Sequence, residues 1–395
     1  MQRYRTPGVY REDVFPAPTA ELRTGVPAFL GYAREAREET NRVPVNEARP
    51  LTLWSQFVQH FGQPLPNSYL AYAVRGFFEN GGRLCYVVRL DETVAVQKAL
   101  DDGLVALEPL DAIDLLCAPD LMVNSDPDKT PILQQKVLDH CEQAGDRFAI
   151  LDALYTHGQR GEEAIKQVHD QRAQLSGTNG ALYFPWIGLA ERDEAGKITV
   201  KHVPPCGHVA GVYARSDERI GVHKAPANEE LAGVLDLACN LPDAQQGPLN
   251  EQGVNCLRAF PGRGIRVWGA RTLSREPAWT YVNVRRLFLT AGRWIERAMA
   301  GVVLEPNDFR LWVRIERELR AYFGDLFRRG ALRGSTEEEA FYVKCDAETN
   351  PPQVQEAGMV VTEIGLAPAI PNEFVVVRII HGASGVTIAG PTRPE

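Results

Sequence analysis

Two glycines of this chain are spaced as in a phosphate-binding loop. Gly264 and Gly269 are separated by four residues, but Ala270 and Arg271 follow, so the lysine that would reach the phosphates is missing. Gly269 also falls inside an apparent strand, whereas a phosphate loop leads into a helix. We therefore predict that this segment binds no nucleotide and that the chain uses no cofactor.

A second group of residues could bind zinc. His202, Cys206 and His208 lie close together in the sequence, yet a structural zinc site is closed by four ligands, and the nearby His223 would have to fold back. A rigid turn at residues 204–208, with a hydrogen-bonding histidine, is the simpler interpretation. We predict no metal site.

Carboxylate chemistry is the third possibility. Five aspartates cluster near predicted strand ends, where α/β proteins bind ligands: Asp111, Asp114, Asp120, Asp126 and Asp128. Their spacing matches no calcium-binding loop, and acids on solvated loops are common. The sequence Gly-Ala-Ser-Gly at residues 382–385 is one residue too short for the nucleophile elbow of a hydrolase. We predict no catalytic residues and no enzymatic activity.

The segment that most constrains the fold lies near the C-terminus. Residues 374–380 form an almost wholly apolar, β-branched run, typical of a strand buried on both faces, and only a polar tail follows. Such a strand cannot remain a free edge without promoting aggregation. It must be paired, covered, or donated to another chain. At the other end of the sequence, Pro7, Pro16, Pro18 and Pro27 exclude helix and favour an extended arm.

The middle of the chain alternates between two kinds of element. Strands are predicted at residues 113–118, 148–154 and 181–189, with helices at 132–143 and 162–175. This order implies a parallel sheet with right-handed crossovers, and we interpret it as a separate middle α/β domain.

The flanking regions have their own signals. Before the middle segment we predict helices at 53–61 and 67–80 and a strand at 84–90. After it we predict an exposed hairpin at 191–201, a loop-rich stretch at 201–228, a helix at 229–240 capped by Asn228, and a hairpin at 255–272. Two helices with strong apolar periodicity begin near Val284 and Phe309, and strands at 341–345 and 359–366 follow.

Composition narrows the class of protein. The chain has 395 residues, 44% hydrophobic and 24% charged, which suits an ordinary globular protein of two domains. No stretch approaches the ~18 apolar residues of a membrane span, and the N-terminus lacks the apolar region of a signal peptide. The seven cysteines, none in a Cys-x-x-Cys pair, are typical of reduced, buried thiols. We expect a protein made in the cytoplasm, with no direct contact with a membrane.

The charge is unevenly distributed. The net charge is −8, yet residues 258–333 contain 16 arginines, no lysine and 7 acids. On the first periodic helix we predict that the arginines lie mostly off the apolar face, among them Arg285, Arg286, Arg293 and Arg297. On the second, four arginines recur every three or four residues and can form one stripe: Arg310, Arg314, Arg317 and Arg320. A solvated face paired with local acids and a docking surface for an acidic protein both remain possible. Nucleic acid is disfavoured because no recognition motif accompanies the stripe.

Several segments resemble one known family, the contractile tail sheath proteins of phage tails, R-type pyocins and extracellular contractile injection systems. The matching segments are residues 6–10 (Thr-Pro-Gly-Val-Tyr), 77–83 with 85–89, 203–228, 255–272, 281–307 and 340–380. Each is modest alone, but their order makes the match specific. Residues 95–200 are the least diagnostic.

The resemblance implies an α/β fold with an inner α+β sheath domain built from both chain ends, a middle α/β domain further out, and extended terminal arms. The expected divisions are an N-terminal arm at 1–25, inner-domain segments at 26–95 and 201–372, the middle domain at 96–200, and a C-terminal arm at 373–395. The arms would add strands to neighbouring subunits. Their candidate residues are Pro7, Gly8, Val9, Tyr10, Phe374, Val375, Val376, Val377 and Ile379.

The resemblance also implies partners and a location. The chain would polymerise helically with itself or with sheath paralogues around an inner tube protein, and would meet baseplate and cap components of a phage tail or tail-like particle assembled in the bacterial cytoplasm. Candidate tube-facing residues are Arg285, Arg293, Arg310, Arg314, Arg317 and Arg320. An α/β ligand-binding protein or enzyme that uses the 104–190 sheet remains an alternative, as does a sheath-like cap or terminator component.

Overall fold

The structure is a computed structural model that describes residues 22–35, 42–156, 158, 161–192, 196–373, 378–382 and 385–389. The strands are β1 (Pro27–Gly31), β2 (Ala48–Leu51), β3 (Cys85–Arg89), β4 (Leu115–Cys117), β5 (Phe148–Asp152), β6 (Gly180–Phe184), β7 (Ile187–Arg192), β8 (Ile198–Val203), β9 (Glu229–Glu230), β10 (Val234–Leu237), β11 (Val254–Phe260), β12 (Gly264–Trp268), β13 (Phe341–Lys344), β14 (Glu363–Leu366), β15 (Arg378–Gly382) and β16 (Gly385–Ala389). The helices are α1 (Trp54–Phe61), α2 (Leu70–Glu79), α3 (Val96–Val105), α4 (Thr130–Ala144), α5 (Gly161–Ala173), α6 (Cys206–Arg219), α7 (Asp243–Glu251), α8 (Val282–Met299), α9 (Phe309–Arg328), α10 (Glu337–Ala340) and α11 (Pro352–Glu356).

A nine-stranded sheet organises the larger part of the protein. Its order is β2-β3-β1-β4-β5-β6-β11-β12-β9, and the six strands from β3 to β11 run parallel. Strands β1, β5 and β6 are buried at every position, because helices cover both faces of the sheet. The predicted parallel α/β arrangement and the α/β fold class are confirmed.

Each face of the sheet has its own apolar core. Helices α1, α2 and α6 cover one face, where Phe57, Phe77 and Tyr213 are fully buried. Helices α3, α4 and α5 cover the other face with residues such as Leu100 and Val137. All seven cysteines are free thiols and six are buried, which confirms their prediction as small core residues.

Strand β1 lies between β3 and β4 and pairs with both. Strands on either side of the expected boundary between residues 95 and 96 therefore belong to one sheet. Strand β11 extends the same sheet beyond residue 200. The middle segment, residues 96–200, supplies only three strands of the nine-stranded sheet, and the segments on either side of it supply the others.

Two local predictions were wrong. The segment predicted as loop at residues 201–228 contains α6, and the helix predicted at 229–240 is replaced by β9 and β10. Asn228 adopts φ +57° and leads into a strand, so it does not cap a helix. The proline pair at 204–205, which favoured a turn, instead ends immediately before the first residue of α6.

Helix α6 packs closely on α2 through glycine. A Cβ atom on Gly207 would lie 2.2 Å from the carbonyl oxygen of Ala73, and one on Gly211 would lie 2.6 Å from that of Phe77. Only glycine permits this approach of the two backbones. The Cys-Gly-His-Val-Ala-Gly segment of α6 is therefore a helix-packing motif, and no local pattern identified α2 as its partner.

The C-terminal part forms a second unit with its own core. Helices α8 and α9, both predicted, pack against each other and against β13, with Leu287, Ile315, Phe323 and Phe341 buried between them. Strand β14 pairs antiparallel with β13. No helix in the described ranges has both the length and the apolar character to cross a bilayer.

The predicted closing strand at residues 374–380 is described only in part. Residues 374–377 lie outside the described ranges, as do Pro7, Gly8, Val9 and Tyr10 of the predicted N-terminal arm. Ile379 belongs to β15, which pairs antiparallel with β16 of the same chain. The expected polar tail therefore contributes a strand, and β15 has a partner in its own chain.

Candidate functional site

The segment with phosphate-loop spacing is a hairpin. Gly264 begins β12 with φ +73° and pairs opposite Phe260 of β11. Gly269 follows directly after β12, and a Cβ atom there would lie 2.8 Å from the Oδ1 atom of Asn255. These glycines serve a tight turn and a close contact between strands, as the predicted hairpin requires.

The candidate zinc ligands do not form a cluster in the part of the chain that the structure describes. His202 lies on β8, where its ring is 6.1 Å from that of Tyr155. Cys206 starts α6, and its backbone N–H donates to Asp152. His208 is buried against Gly76, and this burial lowers the pKa of its imidazole to about 3. Helix packing, and not a turn, accounts for His208.

The carboxyl ends of β1 and β4 flank the point where parallel strand order reverses, which is where α/β folds bind ligands. Here Asp120 occupies that position. Its carboxylate accepts hydrogen bonds from the backbone N–H of Tyr32 (2.6 Å), the backbone N–H of Tyr69 (2.5 Å) and the hydroxyl of Ser68 (2.8 Å). Asp120 is 3% exposed, so its carboxylate is engaged within the fold and does not face a ligand.

A cavity of about 680 Å³ lies beside this crevice. It is lined by an aromatic cluster in which the ring of Trp186 is 5.1 Å from that of Tyr69 and 4.6 Å from that of Tyr155. The indole N–H of Trp186 donates to the carbonyl of Ala153, and Trp186 itself is buried. The polar atom of Trp186 is therefore satisfied within the fold, while Tyr155 is 38% exposed at the mouth of the cavity.

The other candidate acids also have structural partners. Asp126 accepts hydrogen bonds from the backbone N–H groups of Asp128 and Lys129 at the start of α4. The carbonyl of Asp111 accepts from Arg293 at 2.7 Å. Asp114 is buried and pairs with Arg286 at 2.9 Å. The expectation that these acids are solvated was wrong for Asp114 and Asp120.

Helix α8 buries two of its four arginines, whereas Arg297 is exposed, as predicted. Arg286 and Arg293 are 2% and 5% exposed, so the prediction that they lie off the apolar face was wrong. Arg285 is half-buried, with its Nε atom 2.5 Å from Asn179 and its guanidinium 4.7 Å from the ring of Trp279. The spacing of Val282, Arg286, Leu289 and Arg293 follows one helical face and could have revealed this burial.

Helix α9 carries its arginines on the surface. Arg314 pairs with Glu305 at 2.8 Å and Glu318 at 3.2 Å, and Arg320 pairs with Glu316 at 2.8 Å. Arg310 and Arg317 are exposed and have no ion-pair partner within the described ranges. The stripe therefore divides into two paired arginines and two that are available to another molecule.

An apolar crest adjoins the N-terminal end of α9. Val303, Leu304, Phe309 and Val313 are 69%, 99%, 71% and 47% exposed. Leu304 also adopts φ +69°, a conformation that branched residues rarely accept. Together with Arg310 and Arg317, these residues define what we call the α9 face, a surface of apolar side chains flanked by unpaired positive charge.

The small sheet of the C-terminal unit has open edges. Strands β13 and β14 pair only with each other among the described residues, in the register Phe341 opposite Leu366 to Lys344 opposite Glu363. Phe341 and Val343 face the core, whereas Tyr342 is 48% exposed. On β13 the carbonyl of Val343 accepts from Arg320 and the N–H of Phe341 donates to Glu337. The remaining edge N–H and C=O groups could pair with an incoming strand.

Comparison of the sequence with models of protein families shows which family the chain belongs to. The model of the phage tail sheath protein central domain matches residues 94–273, and that of the phage tail sheath C-terminal domain matches residues 274–380. The two matches adjoin and together cover well over half of the chain. The chain belongs to the phage tail sheath family. The resemblance found in the sequence is confirmed.

Curated sheath proteins align with part of the chain. The tail sheath protein of Salmonella phage ViI is 30% identical over 173 residues, which is 43% of this chain and 26% of the phage protein. The tail sheath protein of Enterobacteria phage T4 is 26% identical over 46% of this chain and 28% of its own length. The chain thus matches less than a third of each of these sheath proteins.

Solved structures of contractile sheath and baseplate assemblies match most of the chain. A chain of the anti-feeding prophage baseplate has a TM-score of 0.77 and 27% identity, covering 96% of this chain and 99% of that one. A chain of the PVC sheath complex, an extracellular contractile injection system in the contracted state, has a TM-score of 0.73 and 28% identity, covering 97% and 99%. A sheath tail protein of Desulfitobacterium hafniense shares the fold at 10% identity and a TM-score of 0.60.

Proposed function

We propose that this chain is the structural sheath subunit of a contractile injection machine. It polymerises helically around an inner tube and contracts to drive the tube through a target envelope. The observation that carries the proposal is the correspondence with a chain of the contracted PVC sheath, which extends over nearly the full length of both chains. No catalytic step is assigned to the subunit.

Strand exchange joins the subunits in this proposal. The β13–β14 sheet supplies open edges, and strands from the terminal arms of neighbouring subunits add to them. The arm residues are Pro7, Gly8, Val9, Tyr10, Phe374, Val375, Val376, Val377 and Ile379. Because such a contact is heterologous and does not close on itself, it produces a helical polymer.

The α9 face is the proposed contact with the inner tube. Of the six candidate arginines, Arg310 and Arg317 now carry this proposal, since Arg293 is buried, Arg285 is half-buried, and Arg314 and Arg320 are paired with acids. Their unpaired charge and the exposed Phe309 beside them suit an acidic surface with an apolar depression.

The work of contraction comes from the assembly itself in this proposal. An extended polymer of higher free energy converts to a contracted one when the baseplate triggers it, so no nucleotide is consumed. The particle is a phage tail or tail-like device assembled in the bacterial cytoplasm, with baseplate and cap components at its ends. The similarity to anti-feeding prophage and PVC chains favours an injection system over a phage.

A second candidate follows from one comparison. Because a chain of the anti-feeding prophage baseplate matches with a TM-score of 0.77, this chain could be a sheath paralogue that occupies the baseplate end of the polymer. Such a subunit would bind the baseplate in the absence of other sheath subunits, whereas the main sheath subunit would polymerise alone. Pull-down with purified baseplate distinguishes the two.

Electron microscopy of the overexpressed chain tests the main proposal. We expect tubes of uniform diameter by negative stain, and we expect deletion of residues 1–15 to abolish them while circular dichroism and thermal unfolding still report a folded subunit. A monodisperse monomer of the intact chain, over a range of concentrations and salt, would argue instead for a ligand-binding α/β protein.

A further inference from the structure

A buried cluster of three charged side chains joins distant parts of the chain. Arg286 donates from Nη1 and Nη2 to the two carboxylate oxygens of Asp217, at 2.9 and 2.6 Å, and from Nη2 to Asp114 at 2.9 Å. Their side chains are 2% to 5% exposed. Arg286 comes from α8, Asp217 from α6, and Asp114 from the residues just before β4, so the cluster links the C-terminal unit to the large sheet.

The same two carboxylates hold the chain where it leaves the sheet towards the N-terminus. Asp114 accepts hydrogen bonds from the backbone N–H groups of Gly25 (3.0 Å) and Val26 (2.6 Å). The side chain of Thr24 lies beside Asp217. Residues 24–26 therefore contact both acids of the cluster, and we call this segment the arm root.

The path of the arm root is fixed by sterics as well as by charge. Gly25 has φ +70°, and a Cβ atom there would lie 2.5 Å from the Cα atom of Ala214 in α6. Only glycine can turn the chain at this point. The backbone N–H of Asp114 also donates to the carbonyl of Val26. Asp114 therefore binds the arm root through both its side chain and its backbone.

Stability alone does not explain such a cluster. Burying three charges is costly, and well-packed apolar residues of the same volume are often at least as stable. What buried ion pairs provide is a defined geometry, since a guanidinium fixes two carboxylates in one arrangement. Here that geometry relates the arm root to α8.

We infer that Arg286 is a positioning residue for the N-terminal arm. Acting through Asp114 and Asp217, it fixes the point and direction at which the chain leaves the sheet and couples that exit to the C-terminal unit. The inference rests on the proposed function only where it concerns assembly. If the arm joins a neighbouring subunit, a pull on the arm passes through the cluster to α8, so both units move together.

Hydrogen–deuterium exchange of the full-length chain tests the positioning role without requiring assembly. Arg286→Lys keeps the charge but cannot bind both acids in the same geometry. We expect the amides of Gly25 and Val26 to exchange about tenfold faster, the effect of weakening one charge-assisted hydrogen bond. The matched control is Arg172→Lys, because Arg172 is also buried but donates to the carbonyls of Gln252, Leu175 and Leu273.

Unchanged exchange at the arm root in Arg286→Lys would overturn the inference, as would an equal increase in Arg172→Lys. Should Arg286→Lys not fold, Thr24→Val removes one contact with Asp217 and leaves the ion pairs in place; it must also raise exchange at Gly25. Polymer yield then separates the two proposals. If the wild-type chain forms no tubes, the proposed function is overturned and the positioning role of Arg286 is unaffected. If a variant with faster exchange at the arm root forms tubes as the wild type does, the coupling between the arm root and assembly is overturned.

Discussion

The ring of Tyr322 in α9 stacks on that of Trp294 in α8, with centroids 3.8 Å apart and planes at 4°. This contact holds the two longest helices of the C-terminal unit side by side, and burial raises the pKa of the Tyr322 hydroxyl to about 12. The α9 face lies on one helix of this pair, so the packing of the pair bears on the proposed tube contact as well as on stability.

Tyr322→Ala should lower the free energy of unfolding by about 3 kcal/mol, because it removes a stacked aromatic side chain and leaves a cavity. Denaturant unfolding of the full chain measures the loss. Tyr342→Ala serves as the control, since Tyr342 is 48% exposed on the same unit, and it should cost less than about 1 kcal/mol. Equal losses in the two variants would contradict the assigned role of the stack.

Gly211→Ala should destabilise the protein by at least about 2 kcal/mol or prevent folding. The new Cβ atom would lie 2.6 Å from the carbonyl oxygen of Phe77, which forces α6 away from α2. Gly292→Ala in α8 is the matched control, because a Cβ atom there meets nothing within 4 Å. That variant should gain about 0.5–1 kcal/mol from helix propensity. Thermal unfolding of both variants checks that Gly211→Ala lowers the stability of the protein and that Gly292→Ala raises it.

Two buried acids should contribute a loss of stability between pH 6.5 and pH 8. Burial raises the pKa of Asp152 to about 7 and that of Asp120 to about 6, against an ordinary value of 3.8. The folded state therefore holds protons that the unfolded state has lost, and this stabilisation disappears as the pH rises through the folded pKa values. The contribution of these two acids is a loss of about 1 kcal/mol over this interval, chiefly from Asp152.

Asp152→Asn should flatten the pH dependence between 6.5 and 8, as measured by urea unfolding at several pH values. The histidines act in the opposite direction, at low pH and up to about one pH unit above the ordinary histidine pKa of 6.5. Burial lowers the pKa of His208 to about 3, so the unfolded state takes up a proton that the folded state refuses. A variant profile as steep as the wild-type profile above pH 6.5 would exclude Asp152 as its source.

Reversing the charge of Arg310 and Arg317 together should reduce co-sedimentation of the sheath with the inner tube by at least about tenfold, because like charges then face each other across the contact. Arg275→Glu with Arg333→Glu is the matched control, since both arginines are exposed and neither has an ion-pair partner in the described part of the chain. Loss of tube binding in the control pair alone would move the contact away from the α9 face.

Leu304→Gly should raise the free energy of unfolding by up to about 1 kcal/mol, because φ +69° strains leucine and suits glycine. Leu304 makes no use of its apolar side chain in the subunit, being 99% exposed. Leu235→Gly is the control: Leu235 is 60% exposed in strand β10, and the change should destabilise. If Leu304→Gly also destabilises, the strain does not lie at this residue.

The sequence by itself determined the elements with strong local periodicity. Apolar runs located β5 and β6, helical spacing located α8 and α9, and the glycines after Pro261 located the β11–β12 hairpin. These predictions were correct because a helix with one buried face, or a strand with two buried faces, has a regular pattern of apolar residues along a short stretch of sequence. The family, too, was readable from the order of short motifs.

Only the tertiary structure decided which polar residues are buried. Arg286 and Arg317 look alike in the sequence, yet one is enclosed by Asp114 and Asp217 and the other faces solvent. The partners of Arg286 lie 69 and 172 residues away, so no local pattern could name them. The prediction of a loop where α6 lies was wrong for the same reason. The glycines and His208 of α6 are explained only by their contacts with α2, which comes from another part of the chain.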